Sequence, residues 1–181
     1  YLCQVLLNKM IEICFPDKTK RPFKKGVTPL EIAQSISEGI ARNVLSSSFN
    51  GNIIEVSTPL KKNGDLKLFT WKDFEGKAAF WHSSAHILAQ SILSLYPNAK
   101  LTIGPSIENG FYYDVDFGNF SFTESDLVTL EKKFLNFARE KFEFKMRMCS
   151  KAEALKYYKK ENNPYKLELI GNLKDGEISF C

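Results

Sequence analysis

The stretch from Phe80 to Leu95 constrains this chain more than any other. Ala85, Leu88, Ala89, Ile92 and Leu95 recur at helical spacing, and Tyr96-Pro97-Asn98 then stops the pattern, because proline cannot continue a helix. Both histidines of the 181-residue chain, His82 and His86, fall within it. A four-residue step turns a helix by about 400°, so the two imidazoles share one face, one turn apart. They lie at the edge of the apolar stripe, a position that suits the wall of a cleft better than open solvent. Two groups that titrate near neutrality are thereby aimed at a common point. A pair of ordinary surface or core histidines is the plain alternative, and the spacing alone does not choose between them.

The residues that follow supply partners for such a cleft. Glu108-Asn109-Gly110 lies between two apolar, β-prone runs and reads as a hairpin turn. From there Phe111, Tyr113, Val115 and Phe117 alternate with Tyr112, Asp114 and Asp116, which predicts one continuous strand with an apolar and a polar face. Solvated aspartates are the plain reading of that polar face; lining the histidine cleft is the other. Thr123-Glu124-Ser125-Asp126 opens a helix whose apolar stripe, Leu127, Leu130, Phe134, Phe137 and Ala138, runs to about Lys141. A strand is expected over Phe142–Met148 and a helix over Lys151–Lys160, ended by Asn162-Asn163-Pro164. Tyr165–Ile170 then reads as a strand, in which Lys166 would ordinarily face solvent.

Upstream of the histidines the chain reads as a separate small α+β unit. Ile11, Ile13 and Phe15 alternate with polar residues, Pro16-Asp17-Lys18 turns the chain, and a second strand follows through Phe23. Thr28-Pro29-Leu30-Glu31 has the form of a helix start, with a capping threonine, proline at the first helical position and a glutamate completing a capping box. Ile32, Ala33 and Ile36 continue the apolar face. Asn50-Gly51 is a hairpin signal, and Ile53–Val56 and Leu66–Phe69 complete the unit. Strands and a helix mixed in about 60 residues make a marginal but sufficient core. Asp73-Phe74-Glu75-Gly76 is polar and glycine-bearing and reads as a linker, so a boundary is expected between Trp71 and Lys77.

At these residues the chain resembles a known family. His82-Ser83-Ser84-Ala85-His86, followed by Gly104-Pro105 and Glu108-Asn109-Gly110-Phe111-Tyr112-Tyr113-Asp114, is similar to the amino-acid editing domain of threonyl-tRNA synthetases; alanyl-tRNA synthetases and free-standing editing proteins carry a similar histidine motif. The region from Met10 through Ile36 resembles the small β-grasp (TGS) module of the threonyl enzymes, and that module in this order separates them from the alanyl ones. The resemblance implies an α+β fold: residues 1–9 an unassigned extension, 10–72 a TGS domain, 73–181 an editing domain. It also implies catalytic roles for His82, His86 and Lys166, the last from its Tyr-Lys-aliphatic context, and pocket roles for Tyr113 and Asp114. The implied activity is hydrolysis of mischarged seryl-tRNA(Thr), together with binding of the tRNA acceptor arm. His82 would take a proton from water or orient it, and Lys166 would be the electrostatic and proton-donating partner.

One departure from the family is expected to matter. The editing domain has a second motif, Cys-x-x-x-His, beyond an Asp-Gly turn, and Asp175-Gly176 matches the turn itself. Cys181 is therefore not that cysteine, and the chain reads as an N-terminal fragment with an incomplete editing domain. The synthetase core, with its ATP and magnesium site, its zinc and the dimer interface of the family, would lie outside it, so no cofactor is expected here. Two other functions stay open: a non-catalytic RNA-binding module, and a metal-dependent hydrolase in which Cys149 or Asp114 joins His82 and His86 as ligand.

Composition narrows the setting. The chain is 44% hydrophobic with a formal charge of +4, and no apolar run is long enough for a membrane span, as a cytoplasmic protein would have it. Tyr1–Lys9 lacks the order of a signal peptide. Cys3, Cys14, Cys149 and Cys181 show no Cys-x-x-Cys spacing, which argues against a zinc ribbon or a disulfide scaffold. Cations gather in Lys18-Thr19-Lys20-Arg21, Lys24-Lys25, Lys61-Lys62 and Lys151–Lys160; such groups are usually solvated faces, and a tRNA partner would use some of them on phosphates.

Overall fold

The structure is a computed structural model that describes residues 10–140, 144, 147–176 and 178–180. Expectations that fall on residues 1–9, on Cys181 and on most of the strand at 142–148 lie outside the described residues. The chain divides into two compact units, Tyr1–Trp81 and His82–Cys181.

The first unit is built on strands β1 (Met10–Cys14), β2 (Lys20–Lys24), β3 (Val44–Phe49), β4 (Asn52–Ile54) and β5 (Gly64–Thr70), in the sheet order β2-β1-β5-β3-β4. β1 and β5 run parallel at the centre, and the other pairings are antiparallel. Helix α1 (Pro29–Ile36) lies in the connection from β2 to β3, giving the β-grasp arrangement. Its start is set by local chemistry. The Thr28 hydroxyl accepts from the Glu31 N–H at 3.2 Å, and the Glu31 carboxylate accepts from the Thr28 N–H at 2.8 Å. Ser37 ends α1 and caps a short second helix, α2 (Glu38–Asn43), which the sequence pattern did not announce. Asn50 and Gly51, both at positive φ (51° and 82°), make the two-residue turn between β3 and β4. Ile11, Ile13, Ile32, Phe49, Leu60 and Leu66 form the core. Pro22 sits in β2, an edge strand, where a missing N–H costs no ladder bond.

Asp73–Gly76, expected as a linker, is instead the start of helix α3 (Phe74–Leu95). Asp73 accepts from the Thr70 N–H at 2.8 Å, and the Lys77 N–H reaches the Asp73 carbonyl at 3.1 Å. A Cβ on Gly76 would lie 2.0 Å from the Thr70 carbonyl oxygen, so this glycine serves a close approach of helix to strand rather than flexibility. Ser46, buried in β3, donates to the Glu75 carbonyl at 3.1 Å and ties the same turn to the sheet. The division between the two units falls within α3.

The second unit contains the rest of α3 and three two-stranded ribbons. β6 (Lys100–Leu101) pairs with β9 (Val115–Asp116), β7 (Ser106–Ile107) with β8 (Gly110–Phe111), and β10 (Arg147–Met148) with β11 (Ser179–Phe180). The expected continuous strand Phe111–Phe117 is therefore broken: its two ends pair with different partners, and Tyr112–Asp114 bridges them. Burial alternates only over its first half, with Phe111 and Tyr113 partly buried and Tyr112 and Asp114 exposed, while Val115, Asp116 and Phe117 are all partly buried. Helix α4 (Glu124–Glu140) starts at Thr123, whose N–H donates to Asp126 at 2.9 Å. Helix α5 (Lys151–Lys160) follows as expected, capped by Ser150.

Tyr165–Ile170 is not a strand. It belongs to helix α6 (Pro164–Gly171), capped by Asn163, whose side-chain oxygen accepts from the Lys166 N–H at 3.1 Å. The Asn-Pro pair that ends α5 is equally the start of α6, with proline at its first position. Ile170 of α6 packs with Cys149, Ala154 and Ile178 in a small apolar cluster.

Candidate functional site

The histidines meet as their spacing requires. On α3 the Nε2 atoms of His82 and His86 are 3.1 Å apart, and the rings stand at 90° with centroids 4.6 Å apart. At that distance one ring donates an N–H to the lone pair of the other, which needs at least one neutral imidazole; two imidazolium rings would face proton to proton. The surroundings favour neutrality at His86. Burial first, then the positive charges of His82 and of Lys166, hold His86 below the ordinary histidine range. The Phe144 ring, 5.7 Å from that of His86, covers part of it.

Lys166 lies on α6, partly buried, and its charge acts on His86; burial pulls its own ammonium below the ordinary lysine range. Two contacts that sequence reasoning missed fix its helix. Asn163, only 7% exposed, donates from Nδ2 to the Leu101 carbonyl in β6 at 3.0 Å. Tyr165 donates its hydroxyl to Asp116 in β9 at 2.9 Å. Asp116 also accepts from the Gly118 N–H at 2.7 Å, and the two bonds, Gly118 foremost, hold its carboxyl below the usual range. The alternation at 111–117 did flag Asp116, but nothing in the pattern pointed to Tyr165 as its partner.

Tyr113 and Asp114 are placed otherwise. Tyr113 lies over Gly104, where a Cβ would come 2.3 Å from the ring, and burial raises its phenol above the usual range. Its ring lines an apolar cavity of about 300 Å³ together with Leu88 and Ile92 of α3 and Leu130 of α4. The histidines are not in that lining. Asp114 is exposed, and its backbone is laddered to Thr102 and Ile103. The structure thus brings His82 and His86 into contact, with the charge of Lys166 bearing on His86, while Tyr113 lines a separate apolar cavity and Asp114 lies exposed on the ribbon.

Among the described residues, no three His, Cys, Asp or Glu side chains converge as a metal site would need. Cys149, the possible third ligand, is buried in the apolar cluster under α6.

The cations sort into different roles. Lys151 donates to the carbonyls of Gly171 and Leu173 at 2.7 and 2.8 Å, closing the C-terminal end of α6. Lys20 pairs with Glu12 at 3.1 Å. Lys24-Lys25 and Lys61-Lys62, far apart in sequence, become neighbours: the Gly26 N–H reaches the Leu60 carbonyl at 2.6 Å, and the Leu60 N–H reaches the Val27 carbonyl at 2.8 Å. All four lysines are exposed, and among the described residues none has a carboxylate within 4.0 Å. No helix among the described residues is long and apolar enough to cross a membrane.

Comparison with known proteins adds the wider setting. Residues 11–70 match the TGS domain. Over 172 residues, 95% of this chain, it is 57% identical to the threonine–tRNA ligase of Flavobacterium johnsoniae, covering 26% of that protein. The threonine–tRNA ligase of Cytophaga hutchinsonii is 47% identical over 171 residues, and that of Caldanaerobacter subterraneus 43% over 173, covering 26% and 27% of those proteins. The chain spans about a quarter of the length of the curated relatives it matches.

Proposed function

We propose, taking this chain as a TGS-bearing portion of the threonine–tRNA ligase family, that residues from 73 onward form an editing domain that hydrolyses seryl-tRNA(Thr), behind a TGS domain over 10–72. The need for such a site is energetic. Serine differs from threonine by one methyl, worth about 1–3 kcal/mol in a pocket, so a synthetic site alone charges serine at a level that a second, hydrolytic site must clear. The observation that carries the reading is the His82–His86 contact at 3.1 Å; the charge of Lys166 acting on the buried His86 supports it.

Hydrolysis of the ester needs a base for the attacking water and a donor for the departing ribose oxygen. A neutral imidazole of the pair is the base. The two rings bond each other in the free protein, so substrate and water must displace that bond to reach a free Nε2. His86 is the ring that burial keeps neutral, and His82 orients the water or relays its proton. Lys166 offsets the oxyanion charge and supplies the proton to the leaving oxygen; its lowered pKa makes that transfer easier. The test is deacylation of seryl- and threonyl-tRNA(Thr) by the full ligase and by its His82→Ala and His86→Ala variants. A loss of a hundredfold or more in seryl-ester hydrolysis, with threonine activation intact, is expected from removing a general base (about 10²–10⁴-fold). Hydrolysis at the parent rate in both variants refutes the assignment.

A second role is favoured by the four gathered lysines. Lys24, Lys25, Lys61 and Lys62 suit contact with the phosphates of the tRNA acceptor arm. A cytoplasmic location and a dimeric parent enzyme belong to the same proposal. A metal-dependent hydrolase is the weaker reading, since the histidine pair offers two ligands where zinc takes three or four.

A further inference from the structure

We propose that Asn163 and Tyr165 form a two-point clamp that sets Lys166 against His86, which makes both of them positioning residues of the hydrolytic site. The inference rests on the editing reading above. Its ground is the geometry of the two residues that anchor the start of α6 just before Lys166. Asn163 holds the Lys166 N–H with its oxygen and the Leu101 carbonyl with its amide nitrogen, so one buried side chain joins the first turn of α6 to β6. Tyr165, the residue just before Lys166, reaches Asp116 on β9. Leu101 is paired with Val115, and Lys100 with Asp116, so the two anchors sit one residue apart on the two strands of a single ribbon.

A helix end tied at one point can pivot; tied at residues 163 and 165 to paired strands, it cannot. Lysine has the longest flexible stem of the catalytic candidates and loses considerable rotamer freedom when held. Fixing its Cα removes the part of that uncertainty that backbone motion would add. The charge of Lys166 acts on His86, which shares that charge when protonated, so a loosened helix end would let the ammonium swing towards water. The clamp opposes that drift. Asp116 is half-exposed and is engaged by Tyr165 and by Gly118, which leaves its carboxylate fixed on the ribbon rather than turned to the histidines.

The experiment uses the full ligase carrying this chain, with Tyr165→Phe, Asp116→Ala, Asp116→Asn, their pairings, and Lys166→Ala as control. Three quantities are read: the single-turnover rate of seryl-tRNA deacylation and its half-saturation, the melting temperature, and the apparent pKa of Lys166 from the pH dependence of its acylation by acetic anhydride. Tyr165→Phe and Asp116→Ala should each slow deacylation about tenfold at unchanged half-saturation, within the cost of ångström-scale misplacement. The double variant should be no slower than Asp116→Ala alone, because both changes remove the Tyr165–Asp116 hydrogen bond and Asp116→Ala already removes the Gly118 bond as well. Asp116→Asn keeps an acceptor and should restore most of the rate. The Lys166 pKa should rise towards that of an exposed lysine in the slow variants only. A Tyr165→Phe enzyme with parental rate and parental Lys166 titration overturns the clamp. So does a rate loss that merely follows the melting temperature and is not rescued by Asp116→Asn. If Lys166→Ala hydrolyses seryl-tRNA as fast as the parent, the editing role of Lys166 fails instead, and the acylation titration still decides whether Tyr165 positions it.

Discussion

Replacing Lys24, Lys25, Lys61 and Lys62 together by glutamine should strip most of the salt dependence from tRNA binding by this chain. The four are exposed, lie in two segments stitched by the Gly26–Leu60 and Leu60–Val27 backbone bonds, and among the described residues carry no opposing carboxylate. Each lysine that neutralises a duplex phosphate contributes about −0.9 to the slope of log K against log salt, so four contacts correspond to a slope change of roughly 3–4. Over a fourfold rise in salt that slope amounts to about a hundredfold in affinity, and the glutamine variant should show nearly none of it. The assay is fluorescence anisotropy of a labelled acceptor-arm minihelix, titrated at a series of salt concentrations. Glutamine removes the charge, stays polar and is only one atom shorter than lysine, and the four positions are exposed, so the fold should be undisturbed, which melting curves check. Lys151→Gln is the internal comparison: that ammonium is committed to the carbonyls of Gly171 and Leu173, so its loss should cost stability and leave the slope unchanged. A quadruple variant with the parent's slope would refute the argument, because counterion release follows the number of phosphates contacted.

Two further outcomes follow from the site and from the helix start. The rate of seryl-tRNA hydrolysis should fall on the acid side as His86 protonates. Because burial and neighbouring charge hold that pKa below the ordinary value, the fall should begin below the usual histidine range; in Lys166→Met, the His86 ring should titrate at higher pH by NMR, because one of the depressing charges is gone, and an unmoved ring titration shows that Lys166 does not act on His86. Gly76→Ala should destabilise the first unit: the new Cβ would stand 2.0 Å from the Thr70 carbonyl, a backbone atom that cannot turn aside. Overpacking of that kind costs about 1–3 kcal/mol, more than the roughly 1 kcal/mol alanine gains over glycine in a helix, so the urea midpoint should drop, and a rise would mean that the segment is the open linker its composition suggests.

The parts of the fold that were legible in the sequence are those whose causes are local. Thr28 and Glu31 satisfy each other within one turn, Asn50-Gly51 takes the positive φ its hairpin needs, and His82 and His86 meet because they share a helix face. Lys166 shows where local reading stops. Tyr165, Leu167 and Leu169 alternate with Lys166 and Glu168, and that two-residue period outweighed the Asn-Pro start signal two residues earlier. In the structure the cap decided, since Asn163 uses one side chain both to start the helix and to hold β6. Its partner there is a backbone carbonyl, which has no residue identity for a sequence pattern to reveal. The same is true of the lysines at 24–25 and 61–62, gathered by main-chain bonds of Gly26, Val27 and Leu60. Side-chain spacing therefore placed the two imidazoles, while the Leu101 main-chain acceptor, far along the chain, holds Asn163 and with it the start of the helix that carries Lys166. The histidine pair can be read from the sequence, but its relation to Lys166 depends on α6 being a helix anchored to the β6–β9 ribbon, and no strand carrying Lys166 at that point would inherit the Asn163 cap.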